Sequence, residues 1–149
     1  MGDIRTAMTN LVSLQESLSI SAPVSSSVKR AYKYTPPMSS GLPDTPCFMN
    51  SWTLVNQELD VSLRILTYQI NMQLAVLDSD QDQAADIASS FMNALITAHN
   101  ADVQLDGSVT SSSLRGGDPT LVALEWAGIA YIGLDLVLDV EIKDAVTIT

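Results

Sequence analysis

Leu134-Asp135-Leu136-Val137-Leu138-Asp139-Val140-Glu141-Ile142 alternates apolar and mostly acidic residues without a break. A period of two is that of a strand with one face in a core and the other toward water. The five apolar positions therefore mark a buried face, and Asp135, Asp139 and Glu141 mark the opposite one. The segments leading up to this strand read as helix, strands, helix and further strands, with sequential strands close enough for hairpins. That order predicts an α+β fold: a mostly antiparallel β-sheet packed with two amphipathic helices.

Ile4, Ala7, Met8, Leu11, Leu14 and Leu18 recur at steps of three and four, which predicts a helix over residues 3–18 with one apolar stripe. Ala84, Ile87, Ala88, Phe91, Leu95 and Ala98 do the same behind the capping acids Asp78, Asp80 and Asp82, predicting a second helix over 80–99. Residues 28–34, 48–55, 59–77 and 121–126 read as strands. In the first, Val28, Arg30, Tyr32 and Tyr34 share a face. The 59–77 run changes phase at Ile65 and Leu66, so it either bends there through a β-bulge or projects beyond the domain body. Four prolines between Thr35 and Pro46 exclude regular structure there, and Arg115-Gly116-Gly117-Asp118-Pro119 reads as a turn or loop. The chain reads as one domain, residues 1–149, with extended loops at about 35–47 and 107–120.

Seventeen acids against seven bases give a net charge of -10 over 149 residues, a field that repels phosphate backbones and argues against sequence-specific nucleic-acid binding. With 46% hydrophobic and 16% charged residues the chain is far from the composition of disordered proteins. No apolar run reaches the roughly 18 residues of a membrane span, so no membrane partner is expected. Cys47 is the single cysteine, read as a buried thiol.

Catalysis calls for a base, an activated nucleophile or a metal, and neither the one histidine nor the scattered acids form such a set. His99 is expected to serve the end of the second helix. The Asp78, Asp80 and Asp82 spacing lacks the glycine of a calcium loop, and Gly116-Gly117 lacks the remainder of a phosphate-binding loop. The row Asp135, Asp139 and Glu141 reads as a solvated sheet face. The expectation is no catalytic activity, no cofactor and no metal.

From Leu59 onward the chain resembles the tail terminator family of long-tailed bacteriophages. The likeness lies in the helix, spacer and strand over Phe91 to Thr110, and in an aromatic-x-Gly-x-x-aromatic-x-Gly segment, Trp126, Gly128, Tyr131 and Gly133, before the alternating strand. The N-terminal amphipathic helix and the proline-rich crossing fit the same scheme. The resemblance implies a virion protein of the tail or neck, assembled in the host cytoplasm as a hexameric ring. The ring would stack on the tail tube protein, end tail growth and face a head-tail connector or stopper protein, with DNA passing through unbound. On that reading Asp135, Asp139 and Glu141 are candidate lumen-facing acids. Pro36, Pro37, Leu42, Pro43, Arg115, Gly116 and Gly117 are candidate subunit contacts. Another neck or tail-tube protein, or a non-viral binding module, is the alternative.

Overall fold

In the computed structural model, described over residues 3–34, 45–77, 81–115, 120–126 and 128–145, the elements follow the order α1 (Ile4–Glu16), β1 (Ser19–Ile20), β2 (Ser26–Ser27), β3 (Arg30–Tyr32), β4 (Cys47–Asp60), β5 (Leu63–Leu77), α2 (Gln81–Ala101), β6 (Ser111–Leu114), β7 (Thr120–Trp126) and β8 (Ile129–Ala145). β1 and β2 form a small antiparallel ladder. The remaining strands form a sheet in the order β3-β4-β5-β8-β6, with β7 also on β8. β3 runs parallel to β4 and the other described pairs are antiparallel, so the fold is α+β with a mostly antiparallel sheet.

Asp3 starts α1 from an extended backbone, its carboxylate accepting the Thr6 N–H at 2.9 Å, and this bond holds the carboxyl below its ordinary pKa. Ser17 closes the helix by donating its hydroxyl to the Leu14 carbonyl at 2.6 Å. Of the expected stripe, Ala7, Met8, Leu11 and Leu18 are buried, while Ile4 and Leu14 pack at its margin. α2 buries Ala84, Ala88, Phe91 and Leu95 against one sheet face. That face is Tyr68, Ile70, Met72 and Leu74 of β5 beside Leu134, Leu136, Leu138, Val140 and Ile142 of β8. Removing each large side chain from water contributes roughly 1.5–3 kcal/mol, and this layer is the main core.

Three expectations change. The single strand over 59–77 is two strands: β4 and β5 meet at a two-residue turn, Val61-Ser62, bracketed by the pair Asp60 and Leu63, with Ser62 at φ 65°. The bulge lies not at Ile65 and Leu66 but across the hairpin on β4, where the register shifts between Leu54 and Asn56. The phase change in sequence arises because Leu63 and Ile65 lie on the sheet face away from the helices. Third, the strand over 28–34 shrinks to Arg30–Tyr32, and its buried residue is Ala31, on the face opposite Arg30 and Tyr32. Leu105, Asp106 and Gly107 all have positive φ, so the 107–115 stretch begins as a turn and becomes strand only at Ser111. The tight turn is held by the Asp102 carboxylate on the Asp106 N–H at 2.8 Å and by Asn10 Nδ2 on the Leu105 carbonyl at 2.8 Å. Pro36, Pro37, Leu42, Pro43, Gly116, Gly117, Asp78 and Asp80 lie outside the described residues.

Candidate assembly surface

β4 leaves the core abruptly. Phe48, Met49 and Asn50 are buried, whereas every residue from Ser51 to Leu59 is exposed. The root is locked by a reciprocal amide pair. Gln15 Nε2 donates to Asn50 Oδ1 and Asn50 Nδ2 to Gln15 Oε1, each at 2.8 Å, and Asn50 Nδ2 also reaches the Tyr32 carbonyl at 2.8 Å. Both side chains are fully buried, so α1, β3 and β4 are tied together where the strand departs.

Beyond that root β4 continues as an edge strand, first beside the core residues Ile70 and Tyr68 of β5 and then, past Gln57, in a three-stranded end with β5 and the last residues of β8. This exposed length of β4 with its hairpin tip is the arm. β3 pairs only with Cys47, Phe48 and Met49. Among the described residues nothing covers the outer edge of β4 from Asn50 to Asp60, so its backbone N–H and C=O groups there have no ladder partner on that side. The arm also carries apolar side chains in water: Trp52, Leu54, Val55 at 60%, Leu59 at 65% and Val61 at 86% exposure. Trp52 stands edge-on to Tyr68 with ring centroids 5.5 Å apart. A long, apolar, open edge is a template for pairing with another chain.

The sheet face away from the helices is polar. Register places Thr53, Gln69, Asp139 and Ser113 in one row across four strands, Ser51 and Asn71 in the next, and Thr67, Glu141 and Ser111 in a third. All three acids singled out in the sequence lie on this one face. Asp139 accepts from Arg115 Nη2 at 3.0 Å, and Arg115 also bonds the Gln69 side-chain oxygen. Glu141 has Lys143 at 3.5 Å, and Asp135 accepts from Gln73 Nε2 at 2.8 Å. Two of the three acids thus have a cation beside them, and amides and hydroxyls supply much of the character of the face. Arg115, expected at a subunit contact, is exposed and spans this face.

No known family model and no curated protein matches the chain.

The remaining candidates are structural. His99 is buried and its Nε2 lies 2.7 Å from Ser112 Oγ on β6, so it ties helix to strand rather than serving the helix's last carbonyls. Burial lowers its pKa, and the nearby Asp102 charge acts in the opposite direction. Cys47 is buried beside Met49, Ala75 and Tyr131 in a small cluster on the polar side of the sheet. Tyr131 and Gly133, of the aromatic-glycine segment, are buried in β8, and Gly128 takes φ 79° in the β7–β8 turn, a conformation that favours glycine. A shallow groove of about 540 Å³ between α1 and the end of α2 is lined by Asn10, Ser13, Ser17, Asp102 and Asp106. Among the described residues no cluster of three metal-ligating side chains occurs, and no helix is long and apolar enough to cross a membrane.

The open edge of β4 was the feature sequence reasoning missed, projection having been expected only of the 59–77 run. Its signal was present in Trp52, Leu54 and Val55, but a strand rich in such residues reads as buried unless its neighbours are known.

Proposed function

We propose that the chain is a non-catalytic structural subunit of a phage tail or neck, assembling as a hexameric ring that closes the tail tube and presents a face to the head connector. The observation that carries this reading is the arm: a strand edge of eleven residues, open among the described residues, with apolar side chains in water, running along the flank of a well-packed body and past its end. Among the described residues of one copy nothing pairs with this edge, and a ring of copies gives it a partner. The polar face supports the same reading. Its amides, hydroxyls and acids, with Arg115 and Lys143 engaged by carboxylates, present little for a phosphate backbone to grip, as suits a wall past which DNA slides.

The test is particle mass by light scattering and negative-stain imaging of the purified chain, alone and with sheared tail tubes. Six-fold rings, and density at tube ends, are expected. A chain that ignores tubes sinks the tail reading. Incorporation along the tube rather than at its ends moves the subunit from cap to tube.

A further inference from the structure

The distribution of charge along the sheet specifies how copies meet. Of the seven basic residues, Arg64, Arg115 and Lys143 pair with carboxylates of the same chain. Three of the other four fall within five residues, Lys29, Arg30 and Lys33, around β3. There Lys33 Nζ donates to Thr9 Oγ1 at 2.8 Å and the Arg30 guanidinium lies 4.5 Å over the Tyr32 ring, but no described carboxylate is within ion-pair distance of the three. Lys29 and Arg30 are exposed, and Tyr34 beside them is 56% exposed. The Glu16 carboxylate accepts the Ala31 N–H at 3.3 Å beside them, so three cations stand against one acid, and in a chain of net charge -10 this foot is a local reversal of sign.

The arm tip is its complement. Glu58 is exposed, bonded to Asn56 Nδ2 at 3.2 Å with no described cation near it, and Leu59 and Val61 beside it are largely in water. Both patches therefore pair an unneutralised charge with exposed apolar surface, and the signs are opposite. β3 pairs with the first residues of β4 and the tip is at its other end. At about 3.3 Å per residue, the ten residues from Met49 to Leu59 separate them by roughly 33 Å. One chain cannot bring its own tip to its own foot.

We propose that the arm tip of one copy, through Glu58, Leu59 and Val61, docks on the foot of the next copy, formed by Lys29, Arg30, Lys33 and Tyr34. Two different patches in contact make a heterologous, head-to-tail interface, the kind that closes into a ring when the rotation between copies allows. The opposite charges set the direction and oppose tip-to-tip and foot-to-foot encounters. This inference rests on the ring reading above, deepens it by naming the contact, and is tested without tubes.

Three full-length proteins are compared by sedimentation velocity at low salt: the parent, Glu58→Lys, and the pair Lys29→Glu with Arg30→Glu. All the exchanged side chains are exposed, and thermal unfolding checks that each variant keeps the parent's fold. The parent is expected to assemble. Each variant alone weakens assembly roughly tenfold or more, because like charges now face each other. An equimolar mixture of the two variants restores it, since each positive tip then meets a negative foot and each negative tip a positive foot. The mixture closes only even-membered rings. Unaltered assembly in both variants, or failure of the mixture to recover while both remain folded, overturns the contact and leaves tube capping to its own test. A parent that stays monomeric at millimolar concentration overturns it as well. Rings that follow the charge exchange yet ignore tail tubes uphold the contact and refute the tail assignment.

Discussion

Replacing Asn50 by leucine tests whether the buried amide pair, rather than apolar packing alone, fixes the root of the arm. The substitution leaves the Gln15 side chain, fully buried, with its Nε2 donor and Oε1 acceptor both unmatched. At about 1–3 kcal/mol for each stranded Gln15 group, and about 1 kcal/mol more for the Tyr32 carbonyl that loses its Asn50 donor, the loss centres on about 5 kcal/mol. Gln15→Leu strands the Asn50 oxygen and one of the two Nδ2 protons, the other staying on the Tyr32 carbonyl, and costs about 2–4 kcal/mol. The double replacement removes both amides and leaves the Tyr32 carbonyl short of one donor, a cost of about 1 kcal/mol. The double variant is therefore more stable than Asn50→Leu alone, and the two changes couple by several kcal/mol. Urea unfolding followed by tryptophan fluorescence, at protein concentrations over which the midpoint does not change, gives these values from the midpoints at constant slope. For a chain of this size, Asn50→Leu lowers Tm by about 10–20 °C. Additivity of the single changes to within about 0.5 kcal/mol would refute the reasoning.

Phe91→Ala empties a fully buried position between α2 and the sheet and is expected to cost about 3–5 kcal/mol; a loss below about 1 kcal/mol in the same urea measurement means the site is not packed as described. Burial holds the His99 imidazole below its ordinary pKa of 6.5, so the folded state disfavours the charged ring. The stability that follows from keeping it neutral is complete above the unfolded value and is lost as pH falls from there through the lowered folded value. His99→Gln is expected to flatten the decline in stability as pH falls below the ordinary imidazole value, read from unfolding midpoints at a pH series, and parallel profiles for parent and variant contradict it.

Periodicity carried most of the fold. α1 and α2 were legible because Ala7, Met8 and Leu11, and Ala84, Ala88, Phe91 and Leu95, repeat at helical spacing over several turns. β8 was legible from strict alternation, and its acids do share one face. The β4–β5 turn was not legible, because Val61-Ser62 has neither the glycine nor the asparagine that marks a two-residue hairpin, and a serine supplies the positive φ. Without that turn, 59–77 reads as one long strand and the arm disappears into it. The engagement of Asp139 by Arg115, and of Asp135 by Gln73, depends on which strands lie side by side, information that spacing along one strand does not contain. The buried Gln15 and Asn50 are hidden for the same reason: each alone is a polar residue expected at the surface, and only their mutual satisfaction lets both go inside.

β8 lies between β5 on one flank and β6 and β7 on the other, yet it follows every other described element along the chain. During synthesis, β5 and α2 emerge before the strand that completes the sheet beside them. Leu66 of β5 must wait for Ile142, some seventy-five residues later. Closing such distant pairs is slow, and in that interval two apolar edges are open instead of one. The growing chain is therefore most prone to pair with the wrong neighbour in the interval before β8 emerges, so conditions that slow synthesis of that strand favour aggregates over the folded chain.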